Sequence, residues 1–237
     1  MTADPRSELD RRSLGAGYPQ LYYLMFMLPV VLDARVIVET GLGAGDSTKI
    51  HLAALSEMRD PESRVLHTFE KNGHEWGDVE GAIRAMGFPA QWVVHREDST
   101  QYVNRLDPGT IDYLFLDSDH AYATVEAELR NFAPRLAPHG VIATHDAWPT
   151  KDCSHASFID SRGDDKGRPS TTYWAFKDWA DRHARWKLTL LAYPEGLAVL
   201  TRERERNQRS WWPFGPEGSG LEVVTTDFSL PKPPQPL

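Results

Sequence analysis

Residues 35–47, R-V-I-V-E-T-G-L-G-A-G-D-S, leave few folds open to this chain. The segment begins with Val36, Ile37 and Val38, the pattern of a strand buried on both faces in a parallel sheet. Glycines follow at 41, 43 and 45. Asp46, Ser47 and Thr48 then offer N-caps for a helix carrying Ile50, Leu52, Ala53 and Leu55. Strand, glycine turn and helix bring backbone against a ligand, because glycine has no Cβ to block approach and accepts positive φ. The spacing disfavours two nucleotide motifs. A dinucleotide fingerprint needs glycine where Asp46 stands, and a phosphate loop needs Gly-Lys-Ser/Thr, for which Lys49 is misplaced. What remains is acidic-x-Gly-x-Gly-x-Gly, with Glu39 at the strand end. A carboxylate beside the turn suits an ammonium or a sulfonium better than a pyrophosphate.

The same strand-end signature recurs. Residues 64–70 (R-V-L-H-T-F-E) read as a second strand closing on Glu70, about 30 residues after Gly41, where a carboxylate can accept both ribose hydroxyls of a nucleoside. Residues 73–87 read as a helix stopped by Gly87 and Pro89. Residues 91–95 give a third strand. Asp98 follows it, ahead of an expected helix capped by Ser99 or Thr100. Residues 111–116 (I-D-Y-L-F-L) give a fourth strand, followed directly by Asp117, Ser118, Asp119 and His120. Ligands of open parallel sheets gather beyond the carboxyl ends of the strands. Chance places one or two acids there, but Glu39, Glu70, Asp98 and Asp117 form a series.

A long amphipathic helix is expected over 121–136, with Val125, Leu129, Phe132 and Leu136 on one face. Pro138-His139-Gly140 reads as a turn into a fifth strand that ends at His145-Asp146. Residues 18–32 should form a helix whose aromatics, Tyr18, Tyr22, Tyr23 and Phe26, pack in the core or wall a substrate pocket. Residues 149–172 are polar and without hydrophobic period, a length of loop often used as an active-site lid. Residues 174–183 are again helical, and 186–193 with 197–201 read as two strands around Pro194-Glu195-Gly196, a hairpin. The tail, 204–237, is charged, then aromatic, then proline-rich.

The first motif, and then L-F-L-D-S-D-H-A-Y … L-A-P-H-G-V-I-A-T-H-D over 114–146, resemble the class I S-adenosylmethionine (SAM)-dependent methyltransferases, specifically a subgroup that includes small-molecule O-methyltransferases of natural-product pathways. The resemblance covers roughly residues 33–148. It implies an α/β, Rossmann-like, doubly wound seven-stranded sheet, mostly parallel with a C-terminal antiparallel hairpin, and helices on both faces. One domain over 1–237 is expected, with a helical cap at 1–32, the core at 33–203 and the tail beyond.

The resemblance also implies roles. Glu39, Gly41, Gly43 and Ser47 would seat the amino-acid part of SAM, Glu70 its ribose, and Asp98 with Ser99 its adenine, with Asp117 bordering the cofactor. Two routes stay open for activating an acceptor hydroxyl. In one, Mg²⁺ or another divalent cation binds Asp117 or Asp119 together with Asp146, as in the catechol and sugar O-methyltransferases. The pair His145-Asp146 departs from the acid or amide pair usual there, since histidine is a less usual magnesium partner. In the other, His120 or His145 is the general base, with Asp117 in the catalytic set and His155 a weaker candidate. A non-catalytic SAM- or nucleoside-binding module is the competing reading. An NAD-dependent dehydrogenase is disfavoured by Asp46.

Bulk properties narrow the partners. A net charge of −8 argues against nucleic acid, and no Asn-Pro-Pro-Tyr-like motif follows the fourth strand. Residues 21–32 are apolar but too short to span a membrane and contain Pro29. The first twelve residues carry no apolar run, and Cys153 is the single cysteine, so a cytoplasmic protein without disulfides is expected. Its partner would be a small-molecule acceptor, with homo-oligomerisation left open.

Overall fold

The computed structural model describes residues 19–71, 78–101, 106–147, 172–191 and 196–203. Seven strands form one sheet in the order β3-β2-β1-β4-β5-β7-β6. They are β1 (Val36–Thr40), β2 (Val65–Phe69), β3 (Gln91–His95), β4 (Ile111–Leu116), β5 (Leu136–Thr144), β6 (Trp186–Leu191) and β7 (Leu197–Arg202). Strands β1 to β5 pair in parallel, and β7 runs antiparallel to both β5 and β6. The Rossmann-like, mostly parallel sheet with an antiparallel C-terminal pair is therefore present.

Alternation along the strands divides the core into two layers. On one face Val38, Phe69, Leu114 and Leu116 pack with Val125, Leu129 and Phe132 of α4 (Tyr122–Phe132) and with Ala175, Phe176 and Trp179 of α5 (Thr172–Arg182). On the other, Ile37, Tyr113 and Phe115 meet α1 (Pro19–Val31), α2 (Asp46–Glu57) and α3 (Val79–Ala85) through Leu21, Met25, Ile50, Leu55 and Ile83. Of the aromatics in α1, Tyr22 and Phe26 pack partly against this layer, Tyr23 faces solvent, and Tyr18 lies outside the described residues.

Register sets the strand ends level. Thr40 pairs with Phe69 and with Leu116, and Phe69 with His95, so the residues after β1, β2, β3 and β4 emerge side by side. The opposite end is tied by Asp112, which accepts the N–H groups of Arg35 and Val36 at 2.8 and 3.0 Å and faces His139 Nε2 at 2.9 Å. Arg64 does similar work just before β2. Its buried guanidinium donates to the carbonyls of Arg59, Asp33 and Ala34 and to Asp33 Oδ1. Arg64→Met leaves those carbonyls without their donor and should lower stability by about 3 kcal/mol, read from urea unfolding.

Several boundaries differ from the sequence expectation. Helix α4 stops at Phe132, because Pro134 cannot supply an interior N–H, and a 3-10 turn (Ala133–Arg135) follows. Strand β5 then begins at Leu136, so Pro138-His139-Gly140 lies within it, at a register shift between Ile111 and Tyr113. Gly140 is needed there, since a Cβ would sit 2.7 Å from the carbonyl of Ile111. After β3 the described chain makes only a 3-10 turn (Ser99–Gln101). The expected lid apart from Thr172, the tail from 204, the hairpin tip at 192–195 and the first turn of the helix expected at 73–87 lie outside the described residues.

Candidate functional site

The glycine turn leaves β1 with Gly41, Gly43 and Gly45 all at positive φ, 85°, 48° and 75°. Two of the three are needed by the protein itself. A Cβ on Gly41 would stand 2.2 Å from the Asp117 carbonyl oxygen, and one on Gly45 would meet Ile83 Cδ1 at 2.6 Å. Gly43 is different: among the described residues nothing lies within 4 Å of its Cβ position. Helix α2 starts at once, with Gly45 as N-cap and no side-chain cap, so its first-turn amides and positive dipole end sit at the turn. Ser47, in that first turn, is buried.

Glu39 does not border open space. It is 0% exposed and lies under the turn, where Oε2 accepts Thr48 Oγ1 at 2.6 Å and Thr68 Oγ1 at 3.1 Å. Its Oε1 is 3.2 Å from His51 Nδ1 without a well-formed hydrogen bond. Glu70 reaches back to the turn, with Oε2 accepting the Leu42 N–H at 3.0 Å. Asp98 Oδ1 accepts both the N–H and the hydroxyl of Thr100, and Lys71 Nζ is 3.8 Å from Oδ2. The Thr100 hydroxyl, ahead of the opposing effect of burial, holds the Asp98 carboxyl below its usual range. Ser99 is buried and its hydroxyl donates to Glu128.

Beyond β4 and β5 the chain gathers Asp117, His120, His145 and Asp146. His145 Nε2 is 2.5 Å from Asp117 Oδ1, and His145 Nδ1 is 3.3 Å from Asp146 Oδ1. His120 Nε2 is 3.3 Å from Asp117 Oδ1, and its ring stands edge-on to His145, which stacks on Phe115. Both His120 and Asp146 adopt positive φ, 59° and 53°, a conformation that costs of order 1 kcal/mol in a non-glycine residue and is sustained only by surrounding contacts. Burial disfavours the His145 imidazolium, yet the Asp117 charge and the hydrogen bonds the ring donates to both carboxylates outweigh it and raise its pKa well above 6.5. Burial likewise works against ionised Asp117 and Asp146. His145 and His120 overcome it for Asp117, and His145 does so first for Asp146, so both carboxyls fall below their usual range.

Asp119 is engaged elsewhere. Its Oδ1 accepts the Ala121 N–H at 3.0 Å and Oδ2 accepts Thr124 Oγ1 at 2.9 Å, closing the entrance of α4. Among the described residues one set of three has metal-ligand geometry: Asp117, His120 and His145, with ligand atoms within 4.8 Å of one another. One carboxylate and two imidazoles suit Mn²⁺, Fe²⁺ or Zn²⁺ better than Mg²⁺. His155 lies outside the described residues.

Sequence reasoning passed over Glu128. It sits in α4 between Val125 and Phe132, wholly buried, and the signal was available: an acid three and four residues from apolar positions lies on the buried face. His51, Thr48 and Thr68 were also missed, and only their shared contact with Glu39 reveals them.

Residues 38–147 match the family model described as a methyltransferase domain. A search of curated proteins found no match. An O-methyltransferase from Bacillus cereus, solved with S-adenosylhomocysteine (SAH), is 17% identical with a TM-score of 0.57 over 84% of this chain and 90% of that one. The O-methyltransferase of tomaymycin synthesis from Streptomyces achromogenes, solved with SAM, is 16% identical with a TM-score of 0.54 over 77% and 79%. A protein from Corynebacterium glutamicum reaches a TM-score of 0.61 at 14% identity over 87% and 94%. Residues 38–147 thus carry the pattern of a methyltransferase domain, and the solved structures share its Rossmann-like fold. No helix among the described residues is long and apolar enough to cross a membrane.

Proposed function

We propose that the protein transfers a methyl group from SAM to a hydroxyl of a small molecule, in the manner of the O-methyltransferases of natural-product pathways. The observation that carries this reading is the adjacency of two features at the carboxyl ends of the central strands: a glycine turn with room at Gly43 after β1, and the Asp117-His120-His145-Asp146 cluster beyond β4 and β5. Bound at the turn, SAM supplies an electrophilic methyl on a sulfonium. The uncapped start of α2 suits the cofactor's carboxylate, with Gly41, Gly43 and Ser47 around it. Glu39 acts from beneath, by holding Thr48 and Thr68 and lending negative potential to the cationic end. Glu70, fixed by the Leu42 N–H, would hold the ribose. Asp98 and the Ser99 backbone face the adenine.

The acceptor hydroxyl must lose its proton as the methyl arrives. His145 already holds a proton between two carboxylates, so the base is His120, and the His145 imidazolium stabilises the oxyanion that forms. The Asp117-His120-His145 set favours a second reading. A divalent cation there would displace the proton of His145 and lower the acceptor's pKa as a Lewis acid.

The test is calorimetric titration of SAH into metal-stripped protein, repeated with Mg²⁺, Mn²⁺ and Zn²⁺. Binding in the micromolar range without metal is expected, at about −7 to −8 kcal/mol. A separate metal heat that is lost in Asp117→Ala supports the cation reading. No SAH binding under any condition sinks the proposal. A non-catalytic module is distinguished by binding SAM yet releasing no SAH from a panel of phenols, catechols and sugars.

A further inference from the structure

A buried acid on an apolar helix face needs an explanation, because an unpaired carboxylate costs several kcal/mol there. Glu128 is 0% exposed, and among the described residues no cation faces it. Its Oε1 accepts the Ser99 hydroxyl at 2.5 Å, while Oε2 lies buried near the hydroxyls of Ser118 and Thr40 without a well-formed hydrogen bond to any described residue. Besides Ser99, the groups facing it are the hydroxyls of Ser118 and Thr40 and, at longer range, the negative charge of Asp119. Ser99 follows β3, Ser118 follows β4, and Thr40 ends β1. One side chain from α4 thus meets the exits of three strands.

Other contacts make those exits a connected set. Asn131, three residues along the same helix, donates to the carbonyls of Ser99 and Thr100 at 3.0 and 2.7 Å. Thr40 Oγ1 accepts the Asp117 N–H at 3.2 Å, and Gly41, the next residue, lies against the Asp117 carbonyl. Every exit touching Glu128 leads into a residue assigned above to the cofactor: Asp98 and Ser99, Asp117, and Gly41.

We propose that Glu128 is a positioning residue for the cofactor site, holding the turns after β1, β3 and β4 in the relative register that the adenosine part of SAM requires. This rests on the cofactor reading given above. Glu128 reaches the ligand only through Ser99, Ser118 and Thr40 and is not itself a catalytic residue. Burial pushes its carboxyl up to about 7 against the pull of the three hydroxyls, so below that pH it is mostly the uncharged acid, which glutamine mimics.

The test compares wild type, Glu128→Gln, Glu128→Met and Ser99→Ala for thermal stability and for affinity toward SAH, adenosine and methionine. Glu128→Gln should bind SAH within about threefold of wild type, whereas Glu128→Met should lose roughly 10- to 100-fold, as for a buried hydrogen bond removed. The Glu128→Met loss should appear equally with adenosine and be absent with methionine, a distinction that general loosening of the fold would not make. Ser99→Ala and Glu128→Met should be non-additive when combined. A folded Glu128→Met protein that binds SAH like wild type overturns the proposal. So does a Glu128→Gln protein that binds as poorly as Glu128→Met. Should Glu128→Met fail to fold, Glu128→Gln with Ser99→Ala decides: near-wild-type adenosine affinity in Ser99→Ala overturns it. Wild type that binds no SAH defeats the cofactor reading itself, an outcome separate from the variant losses.

Discussion

Gly41→Ala is expected to abolish folding, while Gly43→Ala, two residues on, leaves a folded protein with weakened binding of the proposed cofactor. At Gly41 the added methyl would stand 2.2 Å from the Asp117 carbonyl oxygen and 2.9 Å from its carbon. Both obstacles are backbone, so relief means separating β1 from β4 at the centre of the sheet. Together with alanine at φ +85°, this should cost more than about 4 kcal/mol, a large part of a domain's whole stability. At Gly43 the backbone penalty alone applies, about 1 kcal/mol, or roughly 2–4 °C in Tm for a domain this size. The methyl would enter space that no described residue occupies, and SAH affinity should fall by roughly 10- to 100-fold, the effect of a steric block of about 1.4–2.8 kcal/mol. Circular dichroism melts and calorimetry on the two variants read both effects. Unchanged SAH affinity in folded Gly43→Ala would remove the ligand from that space.

The contrast between Gly41 and Gly43 also marks what could be read from the chain alone. The fold was legible because its signals are local: β-branched runs, glycines at alternate positions, and acids directly after strands. Apart from the stop of α4 ahead of Pro134, which is local, a tertiary contact is responsible where the expectation and the structure part. Pro138-His139-Gly140 has the composition of a turn, yet Leu136 pairs with Ile111 and Arg202 holds the Leu136 and Ala137 carbonyls, so β5 starts early. Glu39 and Glu70 look equivalent as strand-end acids. The first is the last-but-one residue of β1 and points into the layer with His51, whereas the second follows β2 and reaches the turn. Asp117 and Asp119 are two residues apart and look interchangeable as ligands. Only the start of α4 at Tyr122 shows that Asp119 is occupied with Ala121 and Thr124. Glu128 carried a readable signal, an acid on an apolar stripe, but its meaning required knowing that three strand exits converge on it.

Asp117→Asn should have the largest effect on chemistry, and its first sign is the titration of His145. The Asp117 charge leads the effects that overcome burial and raise the pKa of that imidazole, so the neutral amide should let it fall back toward or below 6.5. Imidazole nitrogen NMR across pH on wild type and variant reads this directly. Methyl transfer should drop by roughly 10²- to 10³-fold, as when one preorganised oxyanion-stabilising group is lost, with SAH affinity within about fivefold. Stability follows from the same pair. Asp117 is depressed, so its contribution is present above its ordinary value of 3.8 and lost as pH falls through its folded value. His145 is raised, so its contribution is complete below 6.5 and lost as pH climbs through its folded value. The variant's deficit should therefore be widest from about pH 4 to 6.5 and narrow on either side. It should reach about 2 kcal/mol, modest for a buried pair because both side chains keep some contact with water. A His145 that titrates identically in both proteins would mean that Asp117 does not set its charge, and the oxyanion role assigned to His145 would fail with it.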